Sequence, residues 1–391
     1  MEDEKSGFAD AVLTPPLSLD GVFGVECKAP GMLSRILSLF KTVRPGSDLT
    51  RFQLPPLFNM PKSQLQCVGE SVYCISDDML RRCVEGNNSM ERFKAVVAWS
   101  ISLIRPTPFG LVPFNPILGE THHVSKGNLN VLLEQVSHHP PVTALHATDV
   151  KESIELLWCH NTVPKFTGTS VEAFVNGKRH LKLLKFNENY EMNAPNLLIT
   201  LFPLPGVDWV GDVYIHCKES GLAASVSVGG WSVFGFKRNS RGVRGKIYYE
   251  PGGQPIYEFE GRWDKQATQR SCCRAVTIKE IGTGKMTTLY NAKEAIFKLK
   301  TPALQDPKGV AKTESALVWS HLMKAITNKE WDNARDAKKA IEEKERSIRR
   351  ERMKKGTVWV PKYFHLVKTE DNAFEVLPRQ SQVPPAPIIA S

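Results

Sequence analysis

The chain has 391 residues, 41% of them hydrophobic and 24% charged, with a formal charge of +10. That is the balance of a soluble globular protein with apolar material for one large domain or two ordinary ones. No apolar run approaches the about 20 residues of a membrane span, and the positive charge favours acidic partners such as phospholipid head groups, nucleic acid or phosphorylated ligands.

The first residues, "MEDEKSGFAD", lack the basic and apolar regions of a signal peptide. The eight cysteines show no Cys-x-x-Cys pair and no regular spacing, which points to a reduced, cytosolic compartment. Residues 1–29 are mixed and turn-rich, and loose order is expected there. In "PGMLSRILSLFKTVRPG", Met32, Leu33, Ile36, Leu37, Leu39 and Phe40 recur at helical spacing between two Pro-Gly pairs. This predicts a short amphipathic helix, either packed on its own domain or serving as a lid or membrane-facing element.

Residues 63–104 read as mainly helical. From about Leu129 the texture becomes short alternating runs: "NVLLEQV", "VTALHAT", "SIELLWC", "LLITLF". "VEAFV-NG-KRHLKLL" predicts an Asn-Gly hairpin, because both turn positions need positive φ. "KIYYE-PGGQ-PIYEFEGRWD" predicts another, and "GTGK" a further turn. Strands in succession without helices point to an antiparallel sheet or barrel. Helix returns after Thr301 with "ESALVWSHLMKAI" and a charged helix from Lys329 to Lys355, closed by Gly356. The Pro-rich end, "QVPPAPIIAS", is expected to be disordered. Helices and strands are segregated, so the class is α+β.

Two His pairs invite chemistry: Glu120, His122 and His123 in "NPILGETHH", and Glu134, His138 and His139 in "EQVSHHPP". A zinc-dependent hydrolase could be built on them. However, no His-Glu-x-x-His or Cys-x-x-Cys spacing is present, and adjacent side chains of a strand point to opposite faces. His139 precedes Pro140, which favours extended geometry. No Gly-x-Ser-x-Gly elbow, Walker A or dinucleotide fingerprint occurs. Basic residues interleaved with stacking aromatics are lacking, so nucleic acid is not an expected partner. On the charged helix, Trp331, Ala334, Ala337, Ile341 and Ile348 form an apolar stripe, and Lys338, Glu342 and Arg346 line up beside it. Glu342 could hold both cations with their free donors aimed at a phosphate; a solvated salt-bridge ladder is the plainer reading.

The octapeptide "EQVSHHPP" resembles the signature of the oxysterol-binding protein family. "SDLTRFQLPP" (Ser47–Pro56), "PFNPILGET" (Pro113–Thr121), the Lys-x-x-x-Glu-x-x-x-Arg helix and "WVPKYF" (Trp359–Phe364) are similar in type and order. The resemblance covers residues 30–367 and is closest to short plant members that consist of the lipid-binding domain alone. It implies a large antiparallel, incompletely closed β-barrel around a lipid tunnel, with a lid region at 30–62. Helical entry and barrel would follow over 63–300, then a helical part over 301–367 and a disordered tail over 368–391. It further implies a non-catalytic monomer without cofactor that exchanges a sterol and/or phosphatidylinositol 4-phosphate between membranes. Such a protein would be cytoplasmic and peripheral on anionic membrane surfaces, including endoplasmic reticulum or Golgi contact sites.

Carried over by motif, His138, His139, Asn115, Lys338, Glu342 and Arg346 would bind the head-group phosphate. Leu49 and Phe52, with Leu33 and Leu37 of the lid helix, would contact the lipid. Two departures stand out. Val112 occupies a position where many members have a phosphate-binding cation. The family's acidic Phe-Phe motif for an endoplasmic-reticulum membrane receptor is matched at "EDEKSGFADA" (Glu2–Ala11) only by its acidic run and Phe8.

Overall fold

The alternating runs beyond Thr121 pair into one sheet of 15 strands in the computed structural model, which describes residues 11–17, 31–229, 231–233, 236–238, 241–264, 275–295, 300–370 and 373–391. Helix α1 (Met32–Phe40) comes first, then strand β1 (Asn59–Ser63), which pairs in parallel with β2 (Val112–Phe114). Between those two strands lie α2 (Gln64–Tyr73), α3 (Asp77–Glu85) and α4 (Ser89–Ser102). Ser63 and Gln66 form a capping box that starts α2, and Asn88 caps α4 through the Glu91 amide.

The large sheet begins with β3 (Thr121–Lys126), β4 (Leu129–His138), β5 (Pro141–Asp149), β6 (Ile154–Phe166) and β7 (Ser170–Leu183). It continues through β8 (Glu188–Met192), β9 (Asn196–Thr200), β10 (Gly206–Cys217) and β11 (Leu222–Val228). A small separate hairpin, β12 (Trp231–Val233) and β13 (Phe236–Arg238), interrupts it. Then follow β14 (Gly242–Tyr249), β15 (Pro255–Arg262), β16 (Ala275–Glu280) and β17 (Met286–Asn291). The short helix α5 (Ala292–Ala295) and β18 (Ala303–Leu304) lead to helices α6 (Ser315–Val318), α7 (Ser320–Thr327) and α8 (Trp331–Lys355). Strands β19 (Phe364–Lys368), β20 (Phe374–Pro378) and β21 (Ile388–Ile389) end the chain.

The path runs from β17 to β18 and those two strands do not pair, so the barrel-like sheet is incompletely closed. The α+β class and segregated helices are those the sequence predicts. Inward-facing Leu156, Trp158, Leu181, Ile215 and Val226 share a core with Val72, Tyr73, Phe93, Val97 and Trp99 of α2 and α4. Leu157 and Cys159 face the other way and are covered by Phe364 and Val376 of the hairpin β19–β20. The free cysteines are Cys67, Cys74, Cys83, Cys159 and Cys217 among the described residues.

Three expectations need correction. Asn176-Gly177 makes no turn: β7 continues through it, pairing Asn176 with Asn161 and Gly177 with His160. Gly177 has φ 113°, and a Cβ there would lie 2.0 Å from the Cys159 carbonyl oxygen, so the glycine serves a close strand approach rather than a hairpin. The tail is ordered. Ile388 and Ile389 pair with Val124 and Ser125 of β3, and Val383, Ala386, Ile388 and Ala390 are buried. Its prolines need no ladder partners, while the Val383 and Ala386 amides donate to Thr148 Oγ1 (2.9 Å) and Ser125 Oγ (2.8 Å). Finally, residues 11–17 are packed: Thr14 and Leu17 are buried and the Val12 amide donates to Ala316 O (2.9 Å). Residues 1–10 and 18–30, with the acidic Phe8 motif, lie outside the described residues.

Candidate functional site

Both His pairs sit beside carboxylates that are already committed. Glu120 is fully buried and accepts from Ser63 Oγ, Ser315 Oγ (2.7 Å), Trp319 Nε1 (2.9 Å) and the Ile117 amide (2.9 Å). Burial pushes its pKa up against those four donors. Glu134 accepts from the Lys362 and Tyr363 amides at 2.7 and 2.8 Å, tying "WVPKYF" to the signature strand β4. His122 Nδ1 lies 2.7 Å from Glu314 and its Nε2 3.0 Å from Tyr73 Oη, while His123 Nε2 donates to Pro384 O (2.9 Å). These six side chains do not converge, and no group of three His, Cys, Asp or Glu placed to hold a metal occurs among the described residues.

What does converge is built on the short segment from Val112 to Pro116. At one end, Asn59 Nδ2 donates to Val112 O (3.3 Å) and its Oδ1 accepts from Lys338 Nζ (2.9 Å). At the other end, Pro116 O accepts from His138 Nδ1 (3.0 Å), and Asn115 between them is exposed. The segment thus links Lys338 at one end to His138 at the other, and the charge of Arg349 acts on both histidines. The His138 and His139 rings are 4.6 Å apart at an interplanar angle of 61°.

Glu342 does not hold both cations. It pairs with Arg346 (3.1 Å), whereas Lys338 donates to Leu54 O and Asn59. The first half of the apolar stripe explains this. Ala334 is buried, with Trp331, Ala337 and Ile341 packed beside it, which draws Lys338 inward; Ile348 emerges into solvent. Burial lowers the Lys338 pKa, and Glu342 partly offsets it.

Both histidines are held below the usual imidazole range. Burial is the main cause, and the positive charge of Arg349 contributes for each; His138 and Arg51 add to it for His139. Arg349 and Arg51 were missed by sequence reasoning, although one signal for Arg349 existed. It stands eleven residues after Lys338, about three helical turns, hence on nearly the same face. At Val112 itself no cation is present, but these two arginines bring positive charge to the His pair.

Helix α1 reaches the Val112–Pro116 segment through Met32, which packs with Phe114 and Ile117. The segment after the helix is tied to the end of β6: the Gly46 and Leu49 amides donate to Phe166 O (2.6 Å) and Pro164 O (2.8 Å). Phe40 stacks on Phe166 (5.0 Å) and on Phe52 (5.8 Å). Ile36 is buried with Phe58, Phe166, Val171 and Leu201, and Leu49 packs against that cluster. Leu33 and Leu37 instead face solvent, 38% and 45% exposed. The inward face of the helix is carried by Ile36 and Phe40, which corrects the expectation of Leu33 and Leu37 as interior contacts.

A model of the oxysterol-binding protein family matches residues 38–381. The chain belongs to the oxysterol-binding protein family. It is 45% identical to oxysterol-binding protein-related protein 4C of Arabidopsis thaliana over 381 residues, covering 97% of this chain and 98% of that protein. Among solved structures it is similar to the Osh1 ORD domain in complex with cholesterol (TM-score 0.71, 23% identity, 95% of this chain and 91% of that one). It is also similar to the Osh3 ORD in complex with PI(4)P from Saccharomyces cerevisiae (TM-score 0.65, 19% identity, 95% and 94%). At those identities the structures speak for the fold of this family member. No helix among the described residues is long and apolar enough to cross a membrane.

Proposed function

We propose that this protein holds one lipid inside its barrel, beneath α1, and exchanges it between membranes without chemical change. The observation that carries the reading is the pair His138 and His139 under the positive charge of Arg349, in a chain whose helix α1 turns Ile36 and Phe40 onto the barrel. Such a pairing suits a ligand with an anionic head and a long apolar body, since acyl chains need enclosure and a phosphate needs converging donors. The ligands of the structural neighbours, cholesterol and PI(4)P, make a sterol and phosphatidylinositol 4-phosphate the two candidate cargoes. The phosphate would lie among His138, His139, Asn115, Lys338 and Arg346, with Glu342 orienting Arg346.

Membrane docking would use the lid side. Leu33 and Leu37 are joined there by Phe202 and Leu204, 66% and 78% exposed, in the loop that follows Leu201 of the lid cluster. The +10 charge would hold the protein, as a cytoplasmic monomer, on anionic surfaces, at about 1 kcal/mol per basic group near the surface. The decisive experiment is extraction of phosphatidylinositol 4-phosphate from liposomes by His138→Ala/His139→Ala. The double variant should melt like the parent and lose extraction at least tenfold; unchanged extraction would sink the head-group assignment.

A further inference from the structure

The barrel interior carries a cation that the histidine pair does not explain. Arg179 on β7 pairs in register with Trp158 on β6, an inward position. Its guanidinium lies 4.6 Å from the centre of the Trp158 ring, and its Nε donates to His160 Nε2 (3.1 Å). Among the described residues that is its only hydrogen bond, and no carboxylate pairs with it. The residue borders a small, partly open cleft of about 10 Å³, whose other walls include Ser100, Ile104, Met192, Val213 and Val226.

Apart from His160 Nε2, the polar groups named near Arg179 are donors. His160 accepts from Arg179 through Nε2, so its proton sits on Nδ1; burial and the Arg179 charge keep the ring neutral. Trp99 and Trp158, whose rings are 6.3 Å apart, each bury an indole N–H with no acceptor. A half-buried charge without a counter-ion, beside orphaned N–H groups, is costly unless water or a ligand supplies the acceptor. Burial alone lowers the Arg179 pKa to about 10, which still leaves it charged at neutral pH.

Register gives its depth. Trp158 pairs with Leu145 and Leu145 with Leu133, so Arg179 lies at the level of Leu133. That is five residues along β4 from His138, roughly 16 Å at the strand rise. A phosphate held at His138 does not reach it. We infer that the donors of Arg179, Trp158 and Trp99 form a second, interior ligand site for a lipid that enters carboxylate first. A carboxylate balances one guanidinium, whereas a phosphate monoester brings about −1.5 to −2 and a sterol hydroxyl brings no charge. This deepens the lipid-carrier reading and rests on it.

Cis-parinaric acid, which fluoresces when enclosed, and its methyl ester test the site in the full chain. The acid should bind at least tenfold tighter than the ester. Arg179→Met should abolish that preference while the melting temperature holds or rises, because an uncompensated charge has been removed. Arg179→Lys should keep the preference. Equal binding of acid and ester by the parent, or a preference that survives Arg179→Met, overturns the proposal. A fall in melting temperature for Arg179→Met with the preference intact would make the residue structural, and likewise overturns it. Phosphatidylinositol 4-phosphate extraction, measured in parallel, separates the two failures: extraction without acid preference overturns the interior site and leaves the carrier reading standing.

Discussion

At the scale of single residues, the state of His138 decides how a phosphate would be held. Its Nδ1 proton is spent on Pro116 O, so the neutral ring offers Nε2 only as an acceptor. Donation to a phosphate oxygen needs the second proton, and burial lowers the pKa of both histidines in the free protein. A bound dianion raises it, so binding takes up protons. The affinity for a phosphorylated head group should therefore rise as pH falls from about 7.5 towards the ordinary histidine value of about 6.5. The phosphate's own second pKa, about 6, also acts in this range, so the comparison is with His138→Asn/His139→Asn. Calorimetry over pH 6–8 should find a pH slope in the parent that is flattened in the variant; equal slopes would exclude the imidazoles as phosphate donors.

At the scale of elements, α1 separates two roles that its sequence mixes. Six apolar residues in nine positions could face either way; the packing of Phe40 on Phe166 and Ile36 on Leu201 chooses. Leu33→Asp/Leu37→Asp should leave the melt unchanged and weaken docking to anionic liposomes several-fold in a flotation assay. Ile36→Asp should do the reverse at first, loosening the lid, since burying an isoleucine contributes about 1.5–3 kcal/mol. If the Leu pair lowers stability instead, that face is core. Helix α8 teaches the same lesson. Four-residue spacing aligns Lys338, Glu342 and Arg346, but the burial of Ala334 turns Lys338 to Leu54 O and Asn59 Oδ1, out of the ladder.

At the scale of the whole molecule, the last residues complete the sheet. Ile388 and Ile389 lie between β3 and β18, and Pro384 O holds His123 of β3. Deleting residues 382–391 should remove the buried Val383, Ala386, Ile388 and Ala390 and lower the melting temperature by on the order of 5 °C. An unchanged melt would mean that the tail covers the sheet without stabilising it.

Period-two runs, the turn at Pro251–Gln254 and the capping residues of α2 and α4 are local signals, and they alone determined the class and the order of the elements. The signature motifs likewise named His138, His139 and Lys338 before any geometry was known. Other features depend on groups far apart in sequence. Gly177 in a strand, the ordered Pro-rich end, Arg349 beside the histidines and Arg179 without a counter-ion are of this kind. Each is fixed by a partner well beyond the local window, such as Cys159 O, Ser125, His138 or the neutral wall of the cleft. Local propensity carries no record of such a partner, so only the tertiary structure could decide them.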